Sequence, residues 1–238
     1  MAELAREFPA LDTTELVERL LSVGVVVTHP ARPRESTPGL ATTYDFAIDE
    51  ARNVRTAVIS DDDQLRERVE VTLATLPDME VGSDAADVSI IIASRPAELA
   101  RLSSEAWKGG FVHLPLRQGN GRILTVGPLA IPPLTACLDC VLLREGGTTQ
   151  WANEHWELAH SERSTLDWAS GDPELATHLA GRMVHRALVD RDDDAIGHVS
   201  VLNSIDLTLY TSRVWSVPRC PTCSVIETYS TAYPWLRP

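Results

Sequence analysis

Nowhere in this chain do Lys and Arg cluster: 21 basic residues stand against 34 acidic ones, for a formal net charge of -13. Affinity for a phosphate backbone comes from clustered basic side chains that release counterions, so a nucleic-acid partner is excluded. Long apolar runs are missing as well. The longest, Val23 to Val27 and Ser89 to Ala93, fall far short of the roughly 20 residues that a membrane helix needs, and no membrane partner is expected. The N-terminal stretch MAELAREFPA lacks the charged-then-apolar pattern of a signal peptide, which makes the expected location cytoplasmic. Cysteine is scarce, at four in 238 residues. In a reducing compartment, closely paired cysteines bind metal more often than they form disulfides.

With 44% hydrophobic residues the chain can bury a proper core, and its length fits one large domain with a small appendage. Residues 12–22, DTTELVERLLS, begin with Asp12 as N-cap and Glu15 three positions on, with Leu16, Val17, Leu20 and Leu21 on one face, so a short helix is expected there. Gly24 ends it, and Val25, Val26 and Val27 lead a strand to Thr28. The following HPARPRESTPGLATT has the composition of a linker. This sets an N-terminal segment at residues 1–50 and an α/β domain at 51–238.

From Val54 onward, short apolar strands alternate with amphipathic helices: VRTAVIS, then DQLRERVEVTLATL, EVG, DVSIIIAS and RPAELARLSSEAWKGG, closed by Gly109 and Gly110. That alternation predicts a mostly parallel sheet. FVHLPLRQ and GRILTVGP are the next two strands, joined by a turn flanked by Arg117 and Arg122, both expected in solvent. Residues 151–190 are expected to be helical, with Trp151 and Trp156 anchoring a core and Asp172 capping the stretch that opens at Pro173. HVSVLNSIDLTLYTSRVWSV alternates like two paired strands.

All four cysteines fall in two CxxC pairs, Cys137 with Cys140 and Cys220 with Cys223. One turn carries two thiolates at this spacing, and two such turns brought together make the tetrahedral sulfur cage that zinc prefers. Such a closed cage is structural and crosslinks distant elements. Two buried thiol pairs, or a redox-active CxxC, are the alternatives. His155 and His160 are five apart and do not share a helix face as a zinc-protease pair would. His178 and His185 read as surface or interface histidines, and RDDDAIGH as a solvated loop.

The run TVGPLAIPPLTACLDCVLLRE, followed later by VWSVPRCPTC, resembles the zinc-bearing half of the ThiF/MoeB-like (ubiquitin-activating-enzyme-like) superfamily. More narrowly, it resembles the branch that partners YcaO-type cyclodehydratases in making azol(in)e-modified peptides and thiopeptides. The resemblance covers roughly residues 53–225 and implies a Rossmann-like, ThiF-type α/β fold with structural zinc at Cys137, Cys140, Cys220 and Cys223. The N-terminal segment then resembles part of a winged-helix module that clamps a precursor's leader peptide. Leu16, Leu20, Val25, Val26 and Val27 become its peptide-facing or dimer-forming residues.

Two departures bear on activity. Adenylating relatives bind ATP with a Gly-rich turn after the first strand, whereas this chain has VISDDDQLRER, with Asp61, Asp62 and Asp63 in that place. No cysteine is left over for a thioester. The expected function is therefore a non-catalytic scaffold, without ATP, that presents a ribosomal precursor peptide to a YcaO-type cyclodehydratase or activates it within a homo- or hetero-oligomer. An ATP-dependent carboxylate-activating enzyme, and a zinc-stabilised redox protein on a degenerate nucleotide-binding fold, are the competing readings. The tail YSTAYPWLRP, Tyr229 to Pro238, is expected to pack on its own domain or to dock on a partner.

Overall fold

The computed structural model describes residues 53–82, 86–119, 122–190, 192 and 195–224. The proposed domain boundary, the N-terminal helix and strand with Leu16, Leu20, Val25, Val26 and Val27, and the tail from Tyr229 lie outside them. The described elements run β1 (Val54–Ile59), α1 (Asp63–Leu73), β2 (Met79–Val81), β3 (Val88–Ile92), α2 (Pro96–Lys108), β4 (His113–Gly119), β5 (Ile123–Val126), α3 (Leu138–Gly146), α4 (Ala152–Ala159), α5 (Asp172–Val184), a π-helical turn (His185–Val189), β6 (His198–Asn203) and β7 (Thr208–Arg213).

These strands form a single sheet in the order β2-β1-β3-β4-β5-β6-β7. The expectation of a mostly parallel sheet is met on the β2 side only. β2, β1, β3 and β4 pair in parallel, and β4 through β7 pair antiparallel. The reason is local. A parallel pair needs a long crossover, which α2 provides between β3 and β4, whereas the short turns joining β4 to β5 and β6 to β7 allow only hairpins.

Ile90, Ile91 and Ile92 of β3 are all fully buried, because helices cover both faces of the sheet at this strand. On one face Ile90 and Ile92 join Val69, Leu73, Leu116, Ala180 and Val184 beneath α1 and α5. On the other, Ile91 meets Leu99, Leu138 and Leu142, with Trp156 against them. In α1 the buried positions Leu65, Val69, Thr72 and Leu73 recur with helical period. Its partner α5 carries Gly181, where a Cβ would stand 2.3 Å from Leu76 Cδ1, so the bare backbone admits that leucine. Arg68 of α1 and Glu174 of α5 clasp bidentately at 2.7 and 2.8 Å.

The stretch 151–190 is not one helix. It divides into α4 and α5, and the intervening segment is pinned to the end of β3: Leu166 N donates to Ser94 O at 2.7 Å and Trp168 Nε1 to Ala93 O at 3.0 Å. Nor is Asp172 the cap of α5. Gly171 takes that place with φ +89, and Asp172 is the first helical residue, its carboxyl buried and raised in pKa by that burial. Trp151 is 59% exposed and anchors nothing, whereas Trp156 packs as expected. His178 is exposed; His185 is only half-buried, with Asp78 Oδ2 at 3.3 Å and Asp190 Oδ2 at 3.5 Å from its ring nitrogens.

Candidate metal centre

Cys137 is the residue that caps α3, and Cys140 lies in that helix's first turn. The backbone N–H of Cys140 donates to Cys137 O at 3.2 Å, which folds the pair into one knuckle. The second knuckle is closed by Cys220 N to Val217 O at 3.1 Å and Ser224 N to Cys220 O at 3.1 Å. Together the four sulfurs lie within 4.8 Å of one another. Cys137 Sγ stands 3.8 Å from Cys140 Sγ and 3.4 Å from Cys220 Sγ, and Cys140 Sγ stands 3.3 Å from Cys223 Sγ. Ligands at about 2.3 Å around a tetrahedral ion are separated by about 3.8 Å, so the cage has the right size.

Burial and charge agree with a cationic occupant. Cys137, Cys140 and Cys220 are 1%, 0% and 2% exposed. Crowding pushes the Cys137 thiol up, through its contact with Cys140 first and Cys220 next, and burial pushes Cys223 up to about 12. Cys140 moves the other way, because the Cys137 thiol and then the Cys220 thiol donate to it, and Val217 N–H adds a bond at 3.2 Å. Without a cation, four thiolates cannot share this volume. With one, all four are held deprotonated. The four described cysteines could hold a metal ion such as zinc, and they have the donor chemistry for it.

A second layer around the cage carries no signal in the one-dimensional pattern. Asp139, between the first two cysteines, accepts from Thr222 Oγ1, between the second two, at 2.6 Å. Its other oxygen is 3.3 Å from His160 Nε2, while His160 Nδ1 lies 2.9 Å from Trp156 O. The two knuckles are thus latched to each other and to α4 by a buried carboxylate. His155 turns elsewhere, with Nε2 at 3.5 Å from Glu145 Oε2, so the two histidines share no site, as their spacing implied. Arg117, expected in solvent, is only 18% exposed and ion-paired with Glu145. Arg122 does lie at the surface.

The hydrogen bond to Asp139, opposed by burial, raises the His160 pKa. A raised folded value means that the imidazolium stabilises the fold below its ordinary pKa near 6.5 and ceases to do so as pH rises through the raised value. Comparing wild type with His160→Gln, the melting-temperature gap should be widest at about pH 6 and narrow by about pH 8.5, the ion pair itself being worth at most about 1 kcal/mol at this half-buried position. A gap independent of pH would show that His160 acts by packing alone.

The turn after β1 is self-satisfied. Asp62 Oδ1 accepts from Gln64 N at 2.8 Å and Leu65 N at 3.1 Å, capping α1. Asp61 accepts from Ser94 N and Ser94 Oγ at 2.8 and 2.6 Å and faces Arg95. The N–H groups of Gln64 and Leu65 at the start of α1 are occupied by the chain's own Asp62.

No known protein family and no curated protein matches this sequence. Solved structures do. The heterocyclase TruD superposes with a TM-score of 0.55 at 18% identity, over 92% of this chain and 36% of that one. The fold is shared. A chain of the E. coli microcin synthetase McbBCD complex gives 0.54 at 15% identity, over 92% and 80%, and E. coli MccB gives 0.51 at 12%, over 94% and 83%. The chain spans about a third of the heterocyclase chains it matches. Among the described residues, no helix is long and apolar enough to cross a membrane.

Proposed function

We propose that this chain is a non-catalytic scaffold subunit of ribosomal-peptide modification, which presents a precursor peptide to, or activates, a YcaO-type cyclodehydratase. In this reading Cys137, Cys140, Cys220 and Cys223 hold a structural zinc ion, the protein works as a homo- or hetero-oligomer, and the N-terminal segment contributes peptide or subunit contacts. The observation that carries it is the pairing of a fold shared with TruD and a McbBCD chain with an α1 N-terminus capped by Asp62. A helix terminus whose N–H groups are already satisfied offers little to a triphosphate, and Asp61 to Asp63 add charge of the wrong sign.

The test combines two assays on the purified full chain. ATP–pyrophosphate exchange in the presence of Mg-ATP and candidate peptides should stay at background, and the chain should co-elute with a YcaO-type cyclodehydratase and raise its heterocyclisation rate by at least tenfold. Exchange above background that Asp62→Ala abolishes would establish the adenylating reading instead. Reversible thiol oxidation with the metal retained would establish the redox one.

A further inference from the structure

One row of side chains crosses the antiparallel half of the sheet. Arg117 of β4 stands opposite Thr125 of β5, Thr125 opposite Val201 of β6, and Val201 opposite Tyr210 of β7. Directly opposed residues project from the same face, so these four form a continuous stripe. Three strand spacings of about 4.8 Å make it about 14 Å long. Over its inner part stands a cavity of 440 Å³, lined by Arg117, Thr125 and Val201 below and by Leu138, Leu142 and Leu158 above. That volume falls in the range of about 300 to 1,000 Å³ usual for ligand sites. Along the stripe Arg117 is half-buried, Thr125 3% exposed, Val201 half-buried and Tyr210 67% exposed. The groove is therefore open at the sheet edge.

Its inner end, at β4, is polar without carrying net charge. Arg117 is paired with Glu145, and His155 approaches the same carboxylate. Arg117 Nε has no hydrogen-bond partner among the described residues. A donor lacking an acceptor beside a self-neutralised ion pair suits a neutral carbonyl better than a free carboxylate, which would confront Glu145. An extended peptide rises about 3.3 Å per residue, so about four residues span the stripe, and the open end lets the chain continue beyond it.

We propose that this groove binds an extended apolar peptide segment, with a backbone carbonyl at the Arg117 end and side chains against Leu138, Leu142 and Leu158. The proposal deepens the scaffold reading and rests on it for the peptide's role. The probe is a fluorescein-labelled Ser-Leu-Val-Leu-Asn amide, titrated with the full chain and followed by anisotropy. Wild type should bind saturably. Leu158→Asp and Tyr210→Ala change residues 62% and 67% exposed, so both variants should melt like wild type while binding at least tenfold more weakly. Val71→Asp, an exposed apolar position on α1, should bind like wild type. Absence of saturable binding, equal affinity in Leu158→Asp, or octanoate occupying the groove more tightly than the peptide would overturn the proposal. The same proteins are tested for association with the cyclodehydratase. Association without peptide binding would refute the groove alone, and loss of both would refute the scaffold reading with it.

Discussion

Replacing Cys220 with alanine should release the metal and lower the melting temperature by more than any surface substitution does. Wild type purified without chelators should carry one zinc ion per chain, and the variant less than a tenth of that by elemental analysis. Structural zinc binds zinc-finger peptides with on the order of 10 kcal/mol of free energy, all of it available to the folded state alone. Removing one ligand leaves three crowded sulfurs, two of them almost fully buried, around an incomplete cage. Stripping wild type with a chelator should reproduce the variant's melting curve. A metal-free wild-type protein, or a Cys220→Ala protein that melts like wild type, would remove the cage from the account of stability.

Gly127→Ala should cost about 2–4 kcal/mol, by combining a disfavoured backbone region with overpacking. Gly127 sits at φ +102, and a Cβ there would lie 2.7 Å from the carbonyl oxygen of His198 and 3.3 Å from Met183 Cε. The first neighbour is backbone of β6 and cannot step aside as a side chain does. Gly127 N–H also donates to Pro115 O at 2.9 Å, so a shift at this residue would disturb β4 together with the run that delivers Cys137. Denaturant unfolding should show a lowered midpoint. A change below about 0.5 kcal/mol, the usual surface-substitution range, would mean that the strand ends relax freely.

The four-cysteine cage was legible because its information is one-dimensional. Two CxxC pairs state their own geometry, and the structure brings all four sulfurs together. The buried run at Ile90 to Ile92 was readable for a similar reason, since a strand covered on both faces needs no alternation. The Asp139–Thr222 latch was not readable. Each residue is an ordinary polar insert between cysteines, and only the folded pairing of the knuckles gives them to each other. Gly171 displaced Asp172 as the cap because the chain enters α5 from a left-handed turn, a conformation that favours glycine. The break after α4 depends on hydrogen bonds to Ser94 and Ala93, residues of a strand end far earlier in the chain. Arg117 looked solvated because its partner Glu145 lies on a helix whose packing over the sheet the local pattern does not encode.

Cys137 and Cys220 are 83 positions apart, so an ion shared between them ties off a long stretch of chain. For a covalent crosslink, the entropy removed from the unfolded ensemble by closing a loop of that length amounts to about 4.5 kcal/mol at room temperature. A metal-thiolate tie achieves a comparable restriction without an oxidant and can be undone by a competing chelator. Everything from α3 to the β6–β7 hairpin lies inside the loop, whereas β1 to β5 with α1 and α2 lie outside it. Demetallation should therefore divide the molecule by chain topology. In hydrogen exchange, amides of β6 and β7 should lose protection first, while those of β1 and β3 stay slow.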